Sequence, residues 1–390
     1  MSGSRPSRLT DPIVAFLRTE AGGGAVLLAA AVIALVWANS PASAAYESFW
    51  HTEVPILDRV GDLRHVVNDG LMTLFFFVVG LEIKREFVAG ELNDTRKAML
   101  PIVGAIGGMI GPALLYLAFN AGGVGANGWG IPMATDIAFA VGVLALMSPR
   151  VPPGLKIFLL TLAIVDDIGA IVVIAVFYTG GIEPLWLLGA TAAIAVVVGM
   201  RLAGVGWVSL YVAAAAALWF STLESGVHAT IAGVVLGLLT PARRVDAATP
   251  SAAERIGSRL HPWTSFVVIP MFALANAGLR LGEGSLGSRV SMGIVAGLVA
   301  GKLLGISGAS WIAVRVGLAR LPAGVGWADI VAGAAVGGIG FTVSLFITDL
   351  AFVEPGLTAD AKLGVMFGSA VAGALGAVLL VRAGGKQDPH

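Results

Sequence analysis

The chain has 390 residues, of which 57% are hydrophobic and only 12% charged, and its mean hydropathy is +0.89. A soluble domain carries about a quarter of its residues charged, so the composition excludes one and leaves a polytopic, all-α membrane protein. The 24 basic and 24 acidic side chains cancel, which gives no electrostatic reason for a nucleic-acid partner, and without cysteine there is neither a disulfide nor a thiolate metal site.

Arg5, Arg8 and Arg18 precede the apolar run 22–37, and Ala42-Ser43-Ala44 follows it. These are the parts of a cleaved secretory signal, but the run is longer than a usual signal core and the polar lead is long, so it reads as a retained first helix. At about 20 helical residues per crossing, runs between Gly, Pro and charge punctuation predict twelve spans. They lie near 21–38, 66–84, 98–120, 130–147, 154–178, 184–200, 205–222, 227–240, 262–279, 290–314, 327–349 and 359–382. The 227–240 run is short enough to be tilted or partial, and Glu224 and Asp329 sit at span ends, where an interfacial position is expected. Residues 40–65, with Pro41 and Pro55, are too polar to cross and are expected to form a small external structure on one membrane domain covering 1–390. With both termini in the cytoplasm, 18 Lys and Arg fall inside and five outside, with Lys302 within a span. That asymmetry fits the positive-inside rule and an even number of crossings.

Four ionisable residues fall near the middle of spans: Asp136, the adjacent Asp166 and Asp167, and Lys302. Such groups are costly in a bilayer and mark ion or proton paths. An ion pair that merely locks the bundle accounts for Lys302 and one aspartate, and leaves two carboxylates over. Adjacent helical residues point about 100° apart, so one of Asp166 and Asp167 can pair with a lysine while the other faces a cavity. Hard oxygen ligands suit protons and small hard cations, and His51, His65, His228, His261 and His390 are scattered singly, with no cluster for zinc or copper. Two spans are also interrupted, by Pro132 just ahead of Thr135 and Asp136 and by Gly337, Gly338 and Gly340. Interrupted segments in corresponding halves suggest inverted repeats whose two discontinuous helices cross at a transport site. Half-helix ends carry partial charges, which a carboxylate such as Asp136 would offset at the positive ends and Lys302 at the negative ends.

The stretches FFFVVGLEIKREF (75–87), ATDIAFAVG (134–142), LAIVDDIGAIVV (162–173), GVHATIAG (226–233), HPWTSFVVIPMFALANAG (261–278), GKLLGI (301–306) and GGIGFTVSLFI (337–347) resemble, in order and over nearly the whole chain, the bacterial NhaA-type sodium/proton antiporters. Broken helices in inverted repeats are themselves a known feature of that family, so the two readings are not independent. The resemblance implies that sodium or lithium competes with protons at Asp166 and Asp167, with Asp167 the more direct ligand, and that Lys302 pairs with Asp166. It implies that Thr135 and Asp136 sit at the crossing, that Glu82, Glu86 and His228 belong to the pH response and cytoplasmic entrance, and that 40–65 forms an external β-hairpin making homodimers. Family members carry an acidic residue and a histidine shortly before HPW; here the segment reads ERIGSRLHPW, with Glu254 shifted and no histidine.

The expected activity is electrogenic, pH-regulated exchange of cytoplasmic Na+ or Li+ for external H+ in a bacterial inner membrane, with no cofactor and no enzyme chemistry. A sodium-coupled solute symporter shares the architecture but needs an extra substrate pocket. A magnesium-dependent prenyl-diphosphate enzyme lacks further carboxylates and phosphate clamps around DDIGA, and an aspartyl protease would need Asp136 as partner. GLVAGKLL around Lys302 lacks the spacing and the Ser or Thr of a P-loop, so no ATP-driven pump is supported.

Overall fold

The computed structural model describes residues 11–53, 61–147, 151–244 and 249–384, with side chains from residue 22 onward. Among the described residues every regular element is helical: α1 Asp11–Ala38, α2 Ser43–Trp50, α3 Leu63–Ala89, α4 Thr95–Asn120, α5 Ile137–Leu146, α6 Pro153–Phe177, α7 Pro184–Leu202, α8 Val208–Glu224, α9 Thr230–Leu239, α10 252–276, α11 Arg289–Arg315, α12 Trp327–Val336, α13 Phe341–Ala351 and α14 Pro355–Gly384. The arginines at 5 and 8 lie outside the described residues.

Each hydropathy run has a helix in its place. Among the described residues seven helices are long and apolar enough to cross a bilayer, or up to nine if each of two bent pairs, α1 with α2 and α12 with α13, is one span. The others fall short for local reasons. α8 and α9 have only 17 and 10 residues, and the first half of α10, AAERIGSRLHPW, is amphipathic. Asp329, expected at an interface, is buried, because its carboxylate accepts the Gly326 N–H (2.8 Å) at the start of α12. The expected external hairpin is reduced, in its described part, to one antiparallel bridge between Glu53 and Asp62. Its tip, 54–60, lies outside the described residues, and its first arm is helical. The aromatic face of α2 explains this: Tyr46 and Trp50 are buried, and the Tyr46 hydroxyl donates to Leu274 O (2.9 Å) and Ala275 O (3.0 Å) of α10.

The molecule is apolar outside and polar inside. Leu28, Val32 and Ile33 of α1, Leu185 and Leu188 of α7 and Leu304 and Ile312 of α11 are exposed, while Asp136, Asp166, Asp167 and Lys302 are buried. Lipid is as apolar as leucine, so helices here gain little by hiding leucine and associate through close packing of small residues. That is where the 53 glycines matter. A Cβ on Gly305 of α11 would overlap the Gly107 carbonyl of α4, and Gly80 of α3 meets Val234 and Gly237 of α9 in the same way.

Two spans are interrupted at the same depth. In the first, Ala126–Met133 is wound as a 3₁₀-helix, residues 134–136 are extended, and α5 then begins. In the second, α12 and α13 meet at 48° across residues 337–340. The breaks touch. Asp136 N–H donates to Ile339 O (2.6 Å), the Thr135 hydroxyl to Gly337 O (2.8 Å) and the Ser344 hydroxyl to Ile131 O (2.7 Å). Backbone freed inside a membrane is thereby satisfied by the partner break.

The Gly305 approach is backbone on backbone and cannot yield by side-chain rotation. Gly305→Val is therefore expected to lower thermal stability by about 1–3 kcal/mol, read from the unfolding midpoint of detergent-purified protein.

Candidate ion-binding site

α6 starts on Pro152 and Pro153 and runs unbroken for 25 residues, so Asp166 and Asp167 sit at its middle on different faces. Asp166 faces α11, where Lys302 Nζ donates to its Oδ2 at 2.7 Å, both side chains fully buried. Lys302 Nζ also donates to the Thr135 hydroxyl (3.0 Å), which passes its own hydrogen to Gly337 O at the C-terminal end of α12. One ammonium thus faces a carboxylate directly and the negative end of a half-helix through one hydroxyl.

Asp136 answers the positive ends. Its Oδ1 accepts the Phe139 N–H (3.1 Å) at the start of α5. Its Oδ2 accepts the N–H (2.9 Å) and the hydroxyl (2.6 Å) of Thr342 at the start of α13. Each helix N-terminus carries roughly half a positive charge, so two of them together offset about one carboxylate.

Asp167 has no such partner: no hydrogen bond or ion pair to its carboxylate occurs among the described residues, and it is only 6% exposed. It lines a cavity of about 40 Å³, with Glu82, Thr135, Asp136, His261, Thr264 and Thr342 among the other walls. That is room for a few water molecules.

The entrance residues are divided. Glu82 reaches the cavity wall, with Oε1 3.5 Å from His261 Nδ1. Glu86, one turn on, lies outside the cavity and accepts the Glu91 N–H (3.0 Å) in the turn after α3. His228 is elsewhere: its Nε2 is 2.6 Å from Tyr178 O, past the far end of α6. α9 runs alongside α3, with Gly233 against Thr73 and Gly237 against Gly80, so His228 lies beyond Thr73 and away from Glu82. Glu254 is also accounted for. The Arg244 guanidinium holds its carboxylate down to about 2; burial opposes this, and the Ser251 N–H and hydroxyl add to the lowering, so it stays charged at physiological pH. Sequence reasoning passed over Thr342, His261 and Thr264; Thr342 is four residues after Gly338 and could have been found as the first-turn hydroxyl of a broken helix.

Buried carboxylates and a lysine gathered where two interrupted helices meet are the arrangement of a secondary transporter. The family model for Na+/H+ antiporter 1 matches residues 14–380. Among named relatives, the Na(+)/H(+) antiporter NhaA of Serratia proteamaculans is 47% identical over 384 residues, covering 95% of this chain and 98% of that protein. The Na(+)/H(+) antiporter NhaA of Rhodopirellula baltica is 45% identical over 418 residues, covering 96% of this chain and 94% of that protein. The Na(+)/H(+) antiporter NhaA 3 of Frankia alni is 46% identical, covering 94% and 87%. The chain belongs to the Na+/H+ antiporter 1 family: it is a multi-pass membrane transporter and not an enzyme.

Removing one member of a buried ion pair strands a charge and costs about 3–5 kcal/mol. Lys302→Ala is expected to destabilise by that order, and Asp166→Asn in the same chain should recover part of the loss; the thermal midpoints of the two single and one double variants measure the coupling.

Proposed function

We propose that the Na+/H+ exchange of this family runs, in this chain, by competition at Asp167 with Asp166 as its neighbour, Na+ or Li+ and protons binding the same oxygens in mutually exclusive loads. The observation that carries this is the distribution of fixed charge. Asp166 has Lys302 and Asp136 has two helix N-termini, while Asp167 has neither and faces the cavity. A carboxylate at that depth needs a compensating cation, and the one left without a fixed partner is the one that exchanges a proton for a metal ion. Thr135 and Asp136 hold the geometry of the crossing around it, and Pro132, Gly337, Gly338 and Gly340 supply the backbone interruptions.

Directionality follows if the empty, unprotonated site cannot reorient. External protons then enter as cytoplasmic Na+ leaves, and exchange is electrogenic whenever more than one proton is taken up per cation. The positive-inside asymmetry supports both termini in the cytoplasm and a bacterial inner membrane as the location. The cavity runs from Asp167 toward Glu82 and His261, at the end that carries Lys84 and Arg85, which supports an inward-facing state. On its other side the rings of Phe76 and Phe272 lie 5.6 and 6.2 Å from that of Phe346, a dry barrier toward the outside. Glu82 with His261, and Glu86 behind them, form the proton-responsive entrance; His228 acts at the outer end. The segment 40–65 is the candidate surface for a homodimer within the bilayer, and residues 1–390 act as one transport domain. A solute symporter is disfavoured by the cavity, which is too small for an organic substrate.

Asp167→Asn keeps the size and removes the titratable charge. Cation-induced proton release by the purified protein should vanish while the variant still inserts and folds; near-normal release would sink the assignment.

Competition also sets a slope. Where one proton must leave for one Na+ to bind, apparent Na+ affinity falls about tenfold per pH unit below the governing pKa. Flux in reconstituted vesicles should keep that slope in a Glu82→Gln, His228→Ala chain, with any loss confined to the maximal rate; a flat profile would move pH control to those residues.

A further inference from the structure

α11 is not uniformly wound. Residues Gly297–Gly301 form a π-turn, and the Lys302 N–H donates to Gly297 O, five residues back. In an α-helix that donor would serve Leu298 O, four residues back, so the wide turn releases the Leu298 carbonyl from its usual partner. At this depth a released carbonyl is tolerated only where protein or a watered cavity receives it. Leu298 is fully buried, and a Cβ built on Gly338 would overlap its oxygen and come 3.0 Å from Ala372 Cβ. Gly338 lies in the break between α12 and α13, beside Gly337, whose carbonyl accepts from the same Thr135 hydroxyl that Lys302 contacts. The turn therefore meets the break twice, directly through a carbonyl and, by way of Thr135, through the ammonium. Its other side is held as closely: a Cβ on Gly297 would come 2.7 Å from Pro132 Cβ, and one on Gly301 would come 2.6 Å from Pro112 Cα.

We propose that this π-turn and Gly338 are a positioning element for Lys302: the released Leu298 carbonyl seats on the break at Gly338 and fixes the height and rotation at which Lys302 meets Asp166 and Thr135. The proposal rests on the reading of Asp166 and Asp167 as the exchange site. It ties the lysine to the interrupted helix, so a shift of the break moves the ammonium with it. It also accounts for a glycine at 338 that no positive φ requires.

The turn can be rewound by a single deletion that unseats the carbonyl. Deleting Val299 leaves the Lys302 N–H bonded to Gly297 O, now four residues apart, and brings the Leu303 N–H four residues after Leu298. The turn closes as α and draws the Leu298 carbonyl along the axis, away from Gly338. Gly338→Ala, deletion of Val299 and the two together are therefore the test, read as sodium-driven proton flux in vesicles across a pH series. Gly338→Ala is expected to cut exchange about tenfold by overpacking the break and to move the pH of half-maximal rate. Deletion of Val299 alone is expected to move that pH in the same direction, and the double variant should lose less than the two single losses combined, because both changes remove one seat. Wild-type flux and pH profile in either single variant, or fully additive losses in the double, overturns the proposal. If Gly338→Ala does not accumulate in the membrane, the pH profile of the Val299 deletion alone becomes the readout, and a wild-type profile overturns it. A double-mutant cycle of Gly338→Ala with Lys302→Ala, read by thermal stability and needing no transport, separates this proposal from the exchange-site reading. Non-additive losses support the positioning role even if Asp167 proves not to exchange ions, and additive losses overturn it.

Discussion

A charge inside a bilayer has to be met by another charge, and that constraint organises this protein. Three carboxylates and one ammonium are buried at mid-depth. Lys302 meets Asp166 through a 2.7 Å contact, and the starts of α5 and α13 meet Asp136 through three hydrogen bonds. The positive charge built into the fold is used at those two places. Asp167 is left facing a small cavity with no fixed partner among the described residues, which is why we propose it as the exchanging carboxylate.

The interrupted helices follow from the same constraint. A continuous helix satisfies its own backbone and offers no dipole at mid-membrane, so the chain has to break two spans to bring helix ends to Asp136. Breaking them frees backbone groups that lipid cannot satisfy. Thr135, Ser344 and the Asp136 N–H close those groups across the crossing, and glycine lets the strands of backbone approach closely enough to do it. The helix that carries the two aspartates stays unbroken, which fixes their 100° divergence and hence their different partners. The π-turn before Lys302 extends the pattern, since a small winding defect in α11 lands against the larger one in α12 and α13.

Legibility in the sequence tracked how local each determinant was. Apolar runs, the DD pair, Lys302 and the Pro and Gly interruptions are local, and each appears as a helix, a mid-helix charge or a break at the expected residues. Glu82 and His228 look alike as isolated polar residues near span ends, yet one lines the cavity and the other lies past Tyr178. The parallel run of α9 beside α3 separates them, and no local pattern encodes it. The first arm of 40–65 became helical because Tyr46 and Trp50 found a buried site on α1 and α10, a long-range packing choice that the prolines of that segment obscured.

The sequence by itself determined that this chain lives in a membrane, roughly where it crosses and which four residues carry charge into the bilayer. Those are transfer free energies summed over neighbouring residues, and neighbours in sequence suffice to compute them. Only the tertiary structure decided which charge answers which. Compensation acts over a few ångströms between residues that are 136 apart for Lys302 and Asp166 and 206 apart for Asp136 and Thr342, and packing alone brings such pairs together or leaves Asp167 apart.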